Sequence, residues 1–247
     1  IILPILFFIT AILYSSVGFG GGSTYLALLL IWDIPYYIFP VIALLCNIIV
    51  VSGNSFNYVR AGNHNFKLLL PFLIGSVPLA FFGGTLKIDK DIFEILLFFV
   101  LSIAGILLLI NNKSYDNDSL IIKKLNFFFS LFIGSVLGLI SGIVGIGGGI
   151  FLSPILFLLK SERPKIIVTT ASLFILINSI SGILGQLTKE NILAELSSFT
   201  PLFICVFIGG LLGNYLNLKI FTSRVLAIIT SLLVIFVSIR MGIRIFL

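Results

Sequence analysis

Long apolar stretches alternate with short polar ones along this chain, and the apolar stretches come in two matching sets. The first runs 2–17, a break, 23–31, then 36–59, 67–86 and 92–110. The second runs 125–143, a break, 149–159, then 164–187, 199–217 and 224–246. Apolar runs of about 20 residues can cross a bilayer as helices, whereas pieces of about 10 cannot. The pattern predicts an all-α chain of membrane helices.

Both breaks are glycine clusters. One is Val17-Gly18-Phe19-Gly20-Gly21-Gly22; the other is Ser141-Gly142-Ile143-Val144-Gly145-Ile146-Gly147-Gly148-Gly149. Each glycine costs a helix interior about 1 kcal/mol relative to Ala, so neither cluster should continue a helix. Gly18 aligns with Gly145 and Gly20 with Gly147, an offset of 127 residues. The repeat extends further: Arg60-Ala61-Gly62-Asn63 sits where Thr188-Lys189-Glu190-Asn191 sits, Pro71 matches Pro201, and Gly83 matches Gly213. Residues 14–110 and 141–240 therefore read as two copies of one unit. The domain reading is a first transmembrane repeat over 1–110, a polar cytoplasmic linker over 111–122 and a second repeat over 123–247. Residues 1–17 have the apolar character of a signal-peptide core, but their counterpart in the second half assigns them to the fold. Internal repeats of this kind are a mark of secondary transporters.

Composition decides the solvent. Of 247 residues 59% are hydrophobic and only 10% charged, with a mean hydropathy of +1.26. Soluble domains carry about 25% charged residues. The chain is expected to be a multi-pass protein of the cell membrane, a bacterial inner or plasma membrane, with the lipid bilayer as its surroundings. The net charge of +6 is scattered over short loops with no basic run, which argues against a nucleic-acid partner. Cys46 and Cys205 both fall in apolar segments and read as small buried hydrophobes.

The charges also choose a topology. Suppose each break is the tip of a hairpin whose arms enter and leave on one side. One side then holds Arg60, Lys67, Lys113, Lys123, Lys124, Lys160, Arg163, Lys165, Lys219 and Arg224, and the other Lys87, Lys90, Lys189, Arg240 and Arg244, ten against five. If each broken segment crossed as one long helix, the split would be seven against eight. The positive-inside rule favours the hairpins, with three further crossings in each half. That odd number makes the repeats inverted and places the linker in the cytoplasm. Two full crossings in place of each hairpin would give the same parity.

Within this frame, the chemistry lies at the breaks. A helix that begins at Ser23 or Ile150 leaves its first N–H groups without intrahelical partners. Those donors and the helix dipole make an anion seat that glycine lets a ligand approach closely. The competing explanation is close packing of small residues between helices. A dinucleotide fingerprint is excluded, because no strand precedes the glycines. Asn47, Asn54 and Tyr58 fall on one face of their helix, and Asn178, Ser181, Gly185 and Gln186 on one face of theirs. Polar side chains at membrane depth either hold helices together or line a pathway. No acid or base falls at the centre of a predicted span, and His64 lies in a loop. No proton relay, metal cluster, cofactor site or nucleophile–base pair is evident, so the chain is not expected to be an enzyme.

With these residues in view, the chain resembles the TauE/SafE, or sulfite exporter, family. The resemblance rests on Gly142 to Pro154, its weaker copy Val17 to Gly22, Thr169-Thr170-Ala171-Ser172-Leu173, Asn178-Ser179, and Gly209-Gly210 followed by Gly213. It implies a transporter of about eight membrane segments that moves sulfite, sulfonates or similar anions, usually outward. The first copy departs from the pattern in lacking a counterpart to Pro154. Tyr58 and Gln186 stand where many members carry a basic or His residue.

The combined expectation is alternating access around a midplane site between the two breaks. The predicted anion contacts are Gly20, Gly21, Gly22, Ser23, Thr24, Gly147, Gly148, Gly149, Ile150 and Phe151 through the backbone. Asn47, Asn54, Asn178 and Ser181 are predicted to assist with side chains. The alternatives are a channel-like or cation-coupled permease for another anion, and a membrane assembly factor that transports nothing. Exact substrate, coupling ion and oligomeric state stay open.

Overall fold

The computed structural model describes residues 2–32, 34–110, 124–189 and 196–216, with 231, 232, 235, 236, 238, 239, 242 and 243. The described elements are all helices: α1 Ile2–Val17, α2 Gly22–Ile31, α3 Phe39–Arg60, α4 Phe66–Thr85 and α5 Lys90–Ile110, then α6 Phe127–Val144, α7 Gly149–Leu158, α8 Pro164–Gln186 and α9 Thr200–Tyr215. Short 3-10 turns, Tyr36–Ile38 and Ser197–Phe199, lead into α3 and α9. The linker 111–122 lies outside the described residues. Of the stretch 224–246, the eight residues described are helical. Five helices among the described residues are long and apolar enough to cross a membrane: Tyr36–Arg60, Phe66–Thr85, Phe127–Val144, Lys165–Gln186 and Ser197–Tyr215.

Local chemistry sets the starts. Proline occupies the first positions of α3, α8 and α9, where no intrahelical bond is lost. The α4 and α6 starts are capped by Asn65 and Asn126, whose Oδ1 atoms accept from the N–H of Leu68 and Phe128. Both cysteines are free.

Small residues decide which helices touch. Among the described residues α4 and α6 form the most extensive pair. Gly134, Gly138 and Gly142 on α6 lie over the carbonyls of Phe72, Ser76 and Ala80, and Gly75 and Gly83 on α4 lie over those of Leu131 and Leu139. A Cβ at any of these positions would overlap backbone. α1 packs in the same way on α9, with Gly209 and Gly213 over the carbonyls of Phe8 and Ile12. Dispersion at such close approach holds membrane helices together where lipid offers no hydrophobic drive.

The rising registers give helix directions. Phe8 with Gly209 and Ile12 with Gly213 make α1 and α9 run the same way; Val50 against Gly210 and Gly53 against Asn214 add α3. Gly75 with Leu131 and Gly83 with Leu139 align α4 with α6, and Val77 with Ser181 and Phe81 with Gly185 add α8. Between the two groups, Leu44 meets Gly182 and Ser55 meets Ser172, so α3 and α8 run in opposite directions. Each half thus packs its first helix on the fourth helix of the other, α1 on α9 and α6 on α4, and α3 and α8 form the centre.

The two halves of each broken segment fold back on themselves. Tyr14 Oη and Thr24 Oγ1 are hydrogen bonded at 2.7 Å, and Phe7 stacks on Tyr25 with centroids 4.8 Å apart. At the second break, Lys124 and Leu125 before α6 share a cleft with Ser161 and Glu162 after α7. The arms are unequal: α6 has 18 residues and α7 only 10. At 1.5 Å per residue only the first arm has the length of a crossing.

Candidate functional site

Each break begins with a glycine that ends the incoming helix. At Gly18, φ +83°, its N–H reaches Ser15 O at 3.2 Å and the next N–H, of Phe19, reaches Tyr14 O at 3.0 Å. This paired closure is a Schellman motif. At Gly145, φ +90°, one bond of 2.8 Å to Ser141 O closes α6. Both returning helices start from a left-handed glycine, Gly21 at φ +84° and Gly148 at φ +74°, and neither has a side-chain cap.

The N–H groups divide at that point. Those of Thr24 and Tyr25 bond to Gly21 O at 3.0 Å, and those of Phe151 and Leu152 to Gly148 O at 3.1 Å. Gly21, Gly22 and Ser23 in one break, and Gly148, Gly149 and Ile150 in the other, are the helix-start donors beyond reach of intrahelical carbonyls. The expected backbone contacts therefore narrow, because Thr24 and Phe151 direct their N–H groups into their own helices.

The two breaks meet at Asn47. Asn47 on α3 is fully buried, and its Nδ2 donates to Ile146 O at 3.0 Å. A Cβ on Gly20 would meet Asn47 Oδ1 and Ile175; one on Gly147 would meet Asn47 Nδ2 at 2.8 Å and Ile175 at 2.9 Å. A Cβ on Gly22 would strike Ile146 O at 2.6 Å, so the breaks touch backbone to backbone. Ile175 occupies in α8 the place Asn47 holds in α3, and both flank both breaks. Gly20 to Thr24 and Gly145 to Gly149 are buried. The site is closed in this conformation, and close packing is part of what its glycines do.

Several buried polar atoms here have no hydrogen-bond partner: Asn47 Oδ1, Ser23 Oγ, Ser141 Oγ and Ser179 Oγ. Leaving a buried polar atom unpaired costs about 1–3 kcal/mol. Ser179 lies 3.2 Å from where a Gly147 Cβ would sit, so it faces the break. Of the other expected contacts, Asn178 Nδ2 bonds within its own helix to Phe174 O at 2.9 Å while its Oδ1 is unpaired. Asn54 Nδ2 donates to Ser15 O at 2.9 Å, and Ser15 Oγ donates to Gly210 O at 2.7 Å, joining α3, α1 and α9. Ser181 Oγ donates to Val77 O at 2.6 Å, joining α8 to α4. Ser181 thus bonds between helices away from the breaks, whereas Asn54 shares the Ser15 carbonyl with the Gly18 N–H at the first break and leaves its own Oδ1 unpaired. Ser179 was absent from the expected contacts because it stands off the Asn178–Ser181–Gly185 stripe.

Charge stays outside the centre. Lys189, in the turn after α8, donates to Gln186 Oε1 at 2.8 Å, and Gln186 Nε2 donates to Gly142 O at 2.7 Å. Burial, and then the charge of Lys87, lower the Lys189 ammonium to about 8. Glu94 in the first turns of α5 pairs with Lys90 at 3.8 Å and lines an aromatic cleft of about 210 Å³ with Tyr36, Phe39 and Phe93. Among the described residues no group of His, Cys, Asp and Glu could hold a metal.

The model of the family described as sulfite exporter TauE/SafE matches residues 3–241. The chain is 26% identical to the probable membrane transporter protein y4hK of Sinorhizobium fredii, covering 94% of this chain and 93% of that one. It is 30% identical to the probable membrane transporter protein MJ0441 of Methanocaldococcus jannaschii over 77% of this chain and 74% of that one. Probable membrane transporter protein YunE of Bacillus subtilis is 24% identical over 95% and 94% of the two chains. No solved structure matches the chain significantly.

Proposed function

Because the chain belongs to the sulfite exporter TauE/SafE family of membrane transporters, we propose that it carries a small sulfur-containing anion, sulfite or an organosulfonate, outward across the membrane. The anion seat is the place where the two glycine breaks meet. The carrying observation is the convergence of both helix starts, with their free N–H donors, on the buried and half-paired Asn47. Helix starts of opposite direction then present positive dipole ends to one anion. Ser179 and Ser23 add neutral donors, while Asn54 and Ser181 brace the helices around them.

The equivalent pairs α1 and α6, α3 and α8, and α4 and α9 run in opposite directions, which supports an inverted repeat. Alternating access would rock one repeat on the other around Asn47. The closed breaks fit the occluded state of such a cycle.

The unpaired Asn47 Oδ1 is an acceptor, so it favours an anion that still carries a proton, such as hydrogensulfite, over a dianion. Export of the monoanion moves one net negative charge outward, so an inside-negative membrane potential drives it without a buried acid. The test is uptake of radiolabelled sulfite, thiosulfate and taurine into proteoliposomes, with and without a proton gradient. Expected is sulfite counterflow that rises as the pH falls toward the monoanion. Absence of counterflow for every anion would end this reading. Glu94→Gln should leave the rate unchanged; collapse of transport in a folded variant would move the coupling to that carboxylate.

A further inference from the structure

The second cleft lies at the mouth of the α6–α7 hairpin, outside the transport seat. It measures about 410 Å³ and is lined by Asn65, Lys67, Pro71, Lys124, Ser130 and Glu162 among others. Lys67 belongs to the first half and Lys124 to the second, and both are exposed. Neither makes an ion pair among the described residues, where the one pair is Lys90 with Glu94. Among the described residues the cleft's single acid is already engaged: Glu162 Oε1 accepts from Asn65 Nδ2 at 2.9 Å and Oε2 from the Arg163 N–H at 3.0 Å. Two free ammonium groups therefore face the cleft against a carboxylate whose oxygens are both occupied. The starts of α4, α6 and α8 also point here, adding the positive ends of their dipoles.

Beside the cleft, the outer faces of both helices are apolar and bare. Leu70 and Ile74 on α4, and Phe128 and Phe132 on α6, each lie one turn apart and are exposed by 48–77%. A basic cleft continued by two apolar stripes matches a phosphate with acyl chains, whereas a free anion would use only the cleft. We propose that this cleft binds the headgroup of an anionic phospholipid, with Lys67 and Lys124 on its phosphate and its chains along the α4 and α6 stripes. The lipid joins the two halves of the chain at the same end of the bundle where Asn65 and Glu162 already do. Basic pockets between helices on the cytoplasmic side are where such lipids are held.

The test uses the full chain in nanodiscs of phosphatidylcholine, titrated with phosphatidylglycerol and read by lipid retention in native mass spectrometry and by the unfolding temperature. Phosphatidylglycerol should be retained over phosphatidylcholine and should raise the unfolding temperature. Each of Lys67→Gln and Lys124→Gln should weaken retention about five-fold, and the pair about thirty-fold. Lys67→Arg with Lys124→Arg keeps both charges and should keep retention, which separates loss of the site from loss of the fold. Equal retention by the double Gln variant would overturn the proposal. So would equal protection by inorganic phosphate alone, which would make the cleft a free-anion site.

Discussion

At the first break two hydrogen bonds close α1 and Gly18 faces side chains, those of Tyr58 and Val168. At the second, one bond closes α6 and Gly145 lies against the backbone of Pro40. Pro40 and Val168 are equivalent positions in α3 and α8, so the contact is the same and its chemistry differs. The reverse holds one turn on: Gly22 meets a backbone carbonyl, that of Ile146, whereas Gly149 meets chiefly the side chain of Ile175. Gly147 is left-handed, at φ +82°, and its counterpart Gly20 is not. Each break thus has one rigid and one yielding contact, in opposite order. The common feature is a left-handed glycine launching an uncapped helix at Asn47, the feature on which the proposed anion seat rests.

This difference sets unequal costs for the same substitution. Gly145→Ala should be the most damaging, because a left-handed Ala costs about 1–2 kcal/mol and overpacking against fixed backbone about 1–3 more. Gly18→Ala should show the conformational part with less overpacking, since side chains can turn away. Thermal unfolding in detergent checks the order, and equal losses would remove the distinction between the breaks. Next comes Gly22→Ala, expected to cost about 1–3 kcal/mol against the Ile146 carbonyl and to resist rescue. Gly149→Ala should be rescued by Ile175→Ala, which removes both Cγ1 and Cδ1; failure of that rescue would mean the Ala171 carbonyl, 3.1 Å from the new methyl, sets the limit.

A smaller effect separates bracing from binding. Ser181→Ala removes the bond to Val77 and should cost about 1 kcal/mol while transport per folded molecule is kept. Ser179→Ala removes an unpaired hydroxyl, so stability should stay within about 0.5 kcal/mol while transport falls. Matched unfolding and uptake measurements on the two variants check this crossing pattern. Smallest of all is a pH effect at Lys189. Its ammonium is lowered to about 8 from an ordinary 10.5, so between those values the unfolded chain binds more protons. Its contribution to stability should therefore rise with pH across that window and show its full penalty below it. Lys189→Met should remove that slope; an unchanged slope would place the titration elsewhere.

Much of this was legible in the sequence. The breaks stood out because glycine clusters interrupt apolar runs, and the long apolar runs marked the full helices. Helix partners were not legible. Gly209 and Gly213, or Gly134 and Gly138, offer small faces that fit many neighbours, and nothing local says that α1 belongs on α9 and α6 on α4. The polar residues sorted only partly. Asn47 and Asn54 share a face of α3, yet one sits where the two breaks meet and the other on the Ser15 carbonyl that closes α1. α8 carries buried side chains on several faces, so periodicity could not tell that Ser179 rather than Ser181 faces Gly147.

The central claim is that the breaks seat an anion at Asn47, and sulfite counterflow in proteoliposomes tests it most directly. Wild type, Asn47→Ala and Ser181→Ala would be compared per folded molecule, with unfolding temperature as the control. Losing one hydrogen bond to a charged ligand is worth about 1.5–3 kcal/mol, so Asn47→Ala should slow counterflow about ten-fold or more. Ser181→Ala should stay within about two-fold of wild type. Wild-type rates in folded Asn47→Ala would contradict the account.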